Sequence, residues 1–388
     1  MTWDAGGNVP PTLILARRLL DRGHSVRILG PCTLRERIEA TGSAFRAFPE
    51  ELEWDDSKGR ALEDQDEFMI EILAGIPLAD AVLAEIDREA ADVIVVDCML
   101  ENALAAAERS GLPSAALVHV LYQPWAAMEE PKGWWEHEFN TLNNTRAKLE
   151  LAPIPRRRFI AEVWARPDRA LVLVPREFDA PGNEPSPNVR YVGPILDKAD
   201  PGYAWDLPWP AEDREPLILI SLGTTYQQQE EPLQRILAAV ASVPGKRLLG
   251  LGHAFESSEI DVPDDIVVRD WVPHTAVLPH TSIVVTHAGL GTVSAALAHG
   301  VPMLCIPLGR EQPSNAKRVE ACEAGRMIQE EATSDEIREA LVDVLESEHY
   351  QEGARRMAGI VAGYERGDQA VRELESLLTG AGNKTEND

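Results

Sequence analysis

The chain has 388 residues, 44% of them hydrophobic, and a formal net charge of -27, which is enough material for two cores of ordinary size and so for two domains. That charge has the wrong sign for a nucleic-acid binder, which needs a basic stripe to displace counterions, and it argues equally against docking on an anionic membrane. Cys32, Cys98, Cys305 and Cys322 lie far apart with no metal-like spacing, no apolar run reaches the ~20 residues that span a bilayer, and no signal-peptide pattern opens the chain; a reduced, cytoplasmic protein without membrane insertion is expected.

In chain order, the opening reads as a glycine-containing loop from Asp4 to Pro10, a helix from Pro11 to Arg22, a Gly23 cap and a strand from Ser25 to Leu29. A parallel α/β sheet places a strand before such a turn. Only Met1 to Trp3 are available for it, so the first strand is expected to be short or missing, as a late start or a truncation would leave it. Asp92–Asp97 and Ser114–Val120 are continuous apolar runs suited to strands buried on both faces, with a helix from Glu101 to Ser110 between them. Arg169–Pro175 and Val189–Pro194 continue the pattern, and the tryptophan-rich stretch between Leu121 and Pro167 reads as an irregular helical insertion. A proline-rich, acidic segment, 197–216, precedes a second α/β series that restarts at "LILISLGTT", Leu217 to Thr225. The expected division is an N-terminal domain of 1–196, a linker of 197–216, a C-terminal domain of 217–350, a helical segment of 351–378 and a disordered tail of 379–388. Each half is expected to be a doubly wound sheet with its ligand crevice at the strand C-termini.

Within the second half, a strand from Ser282 to Thr286 runs into His287, Gly289 and Gly291, then into a helix from about Gly291 to His299 closed by Gly300. Bare glycine backbone lets N–H groups approach a ligand, and a helix N-terminus carries partial positive charge, so the turn suits a diphosphate. His287 adds a donor and Thr292 a hydroxyl. A glycine-rich strand-to-helix turn is also commonly a tight turn and nothing more, so its surroundings matter.

Those surroundings are "WVPH" (Trp271–His274), "THAGLGT" (Thr286–Thr292), "HGVPMLCIP" (His299–Pro307) and "EQPSNA" (Glu311–Ala316). In order and spacing they resemble the donor-binding signature of GT-B fold, family 1 nucleotide-sugar-dependent glycosyltransferases, in a pattern like that of bacterial natural-product enzymes. "SLGTT", "YVGPI" and the N-terminal glycine turn match as well, so the resemblance covers nearly the whole chain; an epimerase of the same fold is disfavoured by "EQPSNA" following "HAGLGT". The resemblance implies two Rossmann-like α/β domains facing each other across a cleft, with the 351–378 segment packing back on the N-terminal domain, in a monomer or homodimer. It implies metal-independent, inverting transfer of a sugar from a nucleotide-sugar co-substrate, with no resident cofactor, to a hydrophobic small molecule such as a natural-product aglycone. By position, Trp271 stacks on the nucleobase and the Val272 backbone reads its edge. His287, Gly289, Gly291, Thr292 and, from the other side, Thr224 hold the diphosphate, while Glu311 and Gln312 offer the mixed acceptors and donors that sugar hydroxyls require.

Two departures from the family pattern carry information. Users of ribonucleotides commonly have a Glu gripping both ribose hydroxyls where this chain has Ala295, which favours a dTDP-deoxysugar over a UDP-sugar. The family's catalytic His falls on Asn8, whose amide cannot act as a base, while its usual partner is present as Asp97. Three readings stay open: Asp97, taken first, is the base; His119, at the end of the next strand, reaches the acceptor; or the acceptor is acidic enough to need little help. Asn8 is left to orient the acceptor. Tyr122, Trp125, Met128, Trp134 and Trp135, from "VLYQPW" through "GWWEHEF", are expected to line a pocket for a flat or lipophilic acceptor, ordinary packing of the insertion being the other reading. A catalytically inactive, nucleotide-binding relative is the competing function.

Overall fold

The computed structural model describes residues 1–53, 62–179, 184–197, 205, 207–210, 213–223, 230–252, 260–366 and 368–381, with the backbone alone at 62–65 and 379–381. Thr224, parts of the expected linker 197–216 and residues 382–388 of the expected tail lie outside the described residues. Among those described, no helix is long and apolar enough to cross a membrane. The chain forms two compact units: Met1–Val174 with Pro181–Ile195 and Asp368–Asp388, and Pro175–Ala180 with Leu196–Gly367.

In the first unit, β1 (Arg27–Gly30) pairs in parallel with β2 (Ala44–Ala47). β3 (Ile94–Asp97), β4 (Ser114–Val118), β5 (Arg169–Val172) and β6 (Val189–Tyr191) make a separate parallel sheet in that order. The first strand, expected to be short or missing, is not formed, yet residues 1–3 occupy its place. The Thr2 amide donates to the Leu29 carbonyl of β1 at 3.1 Å, while the Met1 ammonium donates to Val95 O at 2.6 Å and the Asp97 amide to Met1 O at 3.1 Å in β3. The opening segment thus joins β1 to β3, and the order β2–β1–(1–3)–β3–β4–β5–β6 is that of a doubly wound sheet. All five residues of β4 are buried, as the unbroken apolar run requires of a strand covered on both faces.

The second unit holds one parallel sheet of β7 (Leu217–Ser221), β8 (Lys246–Gly250), β9 (Val267–Arg269), β10 (Ile283–Thr286), β11 (Met303–Cys305) and β12 (Gly325–Met327), ordered β12–β11–β10–β7–β8–β9. Chain direction across the sheet reverses between β7 and β10, where connections leave to opposite sides and open a crevice at the strand C-termini. Residues 221–223 and His287 emerge there. In the first unit the corresponding point falls between residues 1–3 and β3, where the Asn8 loop and Asp97 emerge. Topology alone therefore brings both candidate sites to switch points.

The stretch 351–378, expected as one segment on the N-terminal half, is divided. The Glu348–Glu365 helix lies in the second unit against the Leu290–His299 helix. Its Gly353 allows a close approach to the turn after the Gln312–Ala321 helix, since a Cβ there would lie 2.0 Å from the Glu323 carbonyl oxygen. The Gln369–Ala381 helix lies in the first unit, with Ala370, Val371, Leu374 and Leu377 in one core with Leu15, Leu117 and Leu171. It runs three residues into the expected tail.

Candidate active site

In the second unit the site is built around one imidazole. β10 ends at Thr286, and the chain then turns through Ala288 at φ +66°, a left-handed conformation that costs a non-glycine residue energy and persists only when its surroundings fix it. Two buried side chains fix it. Thr286 Oγ1 accepts from the Ala288 amide at 3.2 Å, and Asn315 Nδ2 donates to the Ala288 carbonyl at 2.9 Å. His287, 6% exposed, is thereby set between two glycines: a Cβ on Gly223 would lie 2.7 Å from its Cε1, and one on Gly289 2.5 Å from its Nε2. Burial lowers the His287 pKa to about 4 despite a hydrogen bond from the ring to the Ser221 backbone carbonyl, and the charge of Arg310 acts in the same downward direction. The ring is neutral at neutral pH, and its Nδ1 has no hydrogen-bond partner among the described residues.

The Leu290–His299 helix starts beside it with Gly289 at the N-cap and no side-chain cap, leaving the first amides and their partial positive charge without a side-chain acceptor. Gly291 is exposed and differs from its neighbours, since a Cβ there would meet nothing within 4 Å. The protein's own packing does not require that glycine. Thr292, 7% exposed, follows in the same turn.

The other donor-half residues divide. Trp271, after β9, is 51% exposed, and Val272 is buried with its Cγ2 against Gly250. Glu311 is half-buried just before the Gln312–Ala321 helix. Gln312, 1% exposed, does not match the outward role expected of it: its Oε1 accepts from the Leu308 amide at 2.8 Å and closes its own loop. Asn315 was not singled out by the sequence. An Asn inside a helix, where it is a weak former with a local hydrogen-bonding alternative, is the signal that marks it.

In the first unit, Asp97 closes β3 and is 1% exposed. Its Oδ1 lies 2.9 Å from His119 Nε2 and accepts from the Met99 amide at 3.0 Å, while Oδ2 accepts from Asn8 Nδ2 at 2.7 Å. The Asn8 amide also donates to Trp3 O at 2.8 Å and Thr2 Oγ1 at 3.2 Å, and its Oδ1 accepts from the Ala5 amide. Asn8, 2% exposed, is committed to holding Asp97 and does not face outward. His119, one residue past β4 with its side chain 14% exposed, is the outermost of the three. Burial would raise the Asp97 carboxyl, but the His119 charge and hydrogen bonds from His119, Asn8 and Met99 outweigh it and hold the pKa below 3.8. Burial would lower His119, but the Asp97 charge, with the Cys98 thiol and hydrogen bonds to both, lifts it well above 6.5.

Around this pair, Trp164 Nε1 donates to Cys98 O at 3.0 Å, and ring contacts lead from Trp164 to Trp125 at 6.4 Å, to Trp135 at 5.0 Å and to Trp134 at 5.0 Å. Trp125, Met128, Trp134 and Trp135 are half-buried. Tyr122, 3% exposed and 5.8 Å from the Trp164 ring, is core packing instead of pocket lining.

Residues 161–375 match the model of the family described as UDP-glucoronosyl and UDP-glucosyl transferase. The chain is 29% identical to the oleandomycin glycosyltransferase of Streptomyces antibioticus, over 91% of this chain and 87% of that protein. Its fold is similar to that of the calicheamicin glycosyltransferase, with TM-score 0.76 and 21% identity over 96% of this chain and 95% of that one. It is similar also to the glycosyltransferase VinC in complex with dTDP, with TM-score 0.67 and 18% identity over 97% and 98% of the two chains. Fold and relatives define a glycosyltransferase of the GT-B fold and natural-product type. The chain belongs to the UDP-glucoronosyl and UDP-glucosyl transferase family.

Proposed function

We propose that the protein transfers a sugar, with inversion, from a nucleotide-sugar to a hydroxyl of a hydrophobic small molecule, with a dTDP-deoxysugar favoured over a UDP-sugar. The observation that carries the donor half is the orphaned Nδ1 of His287 beside an uncapped helix start and an exposed glycine that packing does not require. A diphosphate supplies what these groups lack. His287 and the Gly291 and Thr292 amides hydrogen-bond its oxygens, and the helix N-terminus stabilises the charge that grows on the leaving group without a metal. The exposed Trp271 face takes the nucleobase beside the Val272 backbone, and Glu311 takes the sugar hydroxyls. Ala295, 5% exposed, offers no carboxylate to a ribose 2'-hydroxyl, which favours a deoxyribose.

In the acceptor half His119 is the general base. Asp97 is 1% exposed, with Oδ1 and Oδ2 both turned to protein donors and not to a substrate. It fixes the imidazole and stabilises the imidazolium formed when the acceptor proton arrives, and Asn8 holds Asp97. The loss of a histidine at position 8 therefore does not favour the inactive reading, since a histidine from β4 restores the pair. Trp125, Met128, Trp134 and Trp135 provide the apolar contact surface.

Calorimetry with dTDP and UDP tests the donor site. His287→Ala is expected to weaken dTDP binding by about 10- to 100-fold, the value of one hydrogen bond to a charged group; unchanged affinity would defeat the assignment. Gly291→Ala is expected to keep the melting midpoint, because its methyl meets open space, and yet to weaken dTDP binding about tenfold or more through collision with a ligand seated on the amides. A variant that binds like the parent would show that nothing approaches the helix start.

A further inference from the structure

We infer that Glu138 and Glu101 form a seat for a protonated amine on the acceptor, a reading that rests on the acceptor half proposed above. Glu138, on the Trp134–Lys148 helix, is 0% exposed, and neither of its carboxylate oxygens has a hydrogen-bond partner among the described residues. Glu101, first residue of the Glu101–Ser110 helix, is 2% exposed, and its Oε2 has none either. Neither makes an ion pair among the described residues. Glu101 acts on Glu138, which is raised first by burial and then by the charge of Glu101.

Buried carboxylates left without donor or counter-charge cost several kcal/mol each, so a pair of them is not explained by packing. They are the only carboxylates among the orphaned buried side-chain atoms of the described residues, a set that also includes His287 Nδ1 and Asn315 Oδ1 at the donor turn. Their position agrees with an acceptor role. Glu101 stands four residues after Asp97, at the start of the helix that follows β3, and the intervening turn is tied to Trp164 through Cys98 O. Glu138 follows Trp134 by four residues and Trp135 by three, the spacing that puts side chains on one helix face.

Chemistry then selects the ligand class. Three unpartnered oxygens match the three N–H donors of a primary ammonium, and neighbouring aromatic faces favour the same cation. A hard divalent metal ion asks for six or more oxygens, which the pair does not offer. Without ligand the pair keeps a proton in place of the cation, consistent with burial raising Glu101 to about 8. An arriving ammonium takes that place, and the proton leaves to solvent, so charge is conserved across the exchange.

The test uses two phenols alike except for charge, tyramine and 4-ethylphenol, titrated calorimetrically into the full chain at pH 7 with no nucleotide present. Tyramine is expected to bind about tenfold more tightly or better, with a binding enthalpy that changes with buffer because a proton is released. Glu138→Gln is expected to bring the ratio of the two affinities close to one, and Glu101→Gln serves as the second reading should the first variant fail to fold. Equal affinities in the parent protein, absence of binding by both probes, or a ratio that survives both substitutions would overturn the inference. Loss of dTDP binding with the tyramine preference intact would instead remove the donor reading, so the two failures are distinguishable.

Discussion

Replacing His119 with alanine is expected to lower sugar transfer by a factor on the order of 100 to 10,000, the usual contribution of a positioned general base, while dTDP affinity stays that of the parent. The loss belongs in turnover because the imidazole acts on the acceptor proton and is not among the groups assigned to the nucleotide. Asp97→Asn is expected to reduce turnover as well, by a different route. It removes the charge that lifts His119 and leaves one oxygen where two accepted, which disturbs the contacts that orient the ring at 2.9 Å. The two variants therefore separate in their pH profiles. In the parent, His119 is protonated below its raised pKa and cannot accept a proton, so turnover should climb with pH through values above 6.5. In Asp97→Asn the residual turnover should climb at lower pH, because burial, which disfavours the imidazolium, is no longer opposed by a carboxylate. The pH dependence of kcat for both proteins checks this, and full turnover by His119→Ala would leave the pair without a catalytic role.

Long apolar runs made β3, β4, β7 and β10 legible in the sequence, and the helix from Glu101 to Ser110 has the bounds its capping residues imply. Four strands were not anticipated: β8, whose "KRLLG" shows no alternation, and three shorter ones, β2 "AFRA", β9 "VVR" and β12 "GRM". Three or four residues cannot display a period, and such strands form because a neighbouring strand already offers a row of hydrogen-bonding groups. Residues 1–3 were legible as the only ones available for the first strand, but not their partners Leu29, Val95 and Asp97, which lie far away in sequence. At the site, motif spacing pointed to His287 and the glycine turn, but not to Asn315 holding that turn or Gln312 closing its own loop. Those roles depend on where two helices and a loop meet. That His119 reaches the acceptor was one of three readings from sequence, Asp97 as the base being taken first, and the pairing of the two was not legible there. Parallel register places Asp97 opposite Leu117, and His119 follows two residues later, one past the end of β4, so a side chain just beyond the end of one strand reaches across to its neighbour.

Glu138→Gln is expected to raise the thermal midpoint of the ligand-free protein by several degrees at pH 8, with the gain shrinking toward pH 4.5. The sign follows from proton uptake. Unfolded, Glu101 releases its proton near its ordinary value of 4.5, and folded it keeps it until about 8. Between those values the folded state binds more protons than the unfolded one, so stability falls as pH rises and levels off above the upper value. Separate pKa values in the two states convert at ~1.4 kcal/mol per pH unit, so the cost at pH 8 is on the order of 4 kcal/mol for Glu101. A glutamine at 138 removes the like charge and offers Glu101 an N–H donor, which lowers its folded pKa and narrows the window. The same substitution should abolish discrimination between charged and neutral acceptors, so stability and recognition move in opposite directions, as they do where a site holds a charge ready for a ligand. Thermal melts of both proteins across pH 4.5 to 8.5 decide it. A lower midpoint for Glu138→Gln at pH 8, or a difference that does not change with pH, would mean that the two carboxyls are not held against their preference for water.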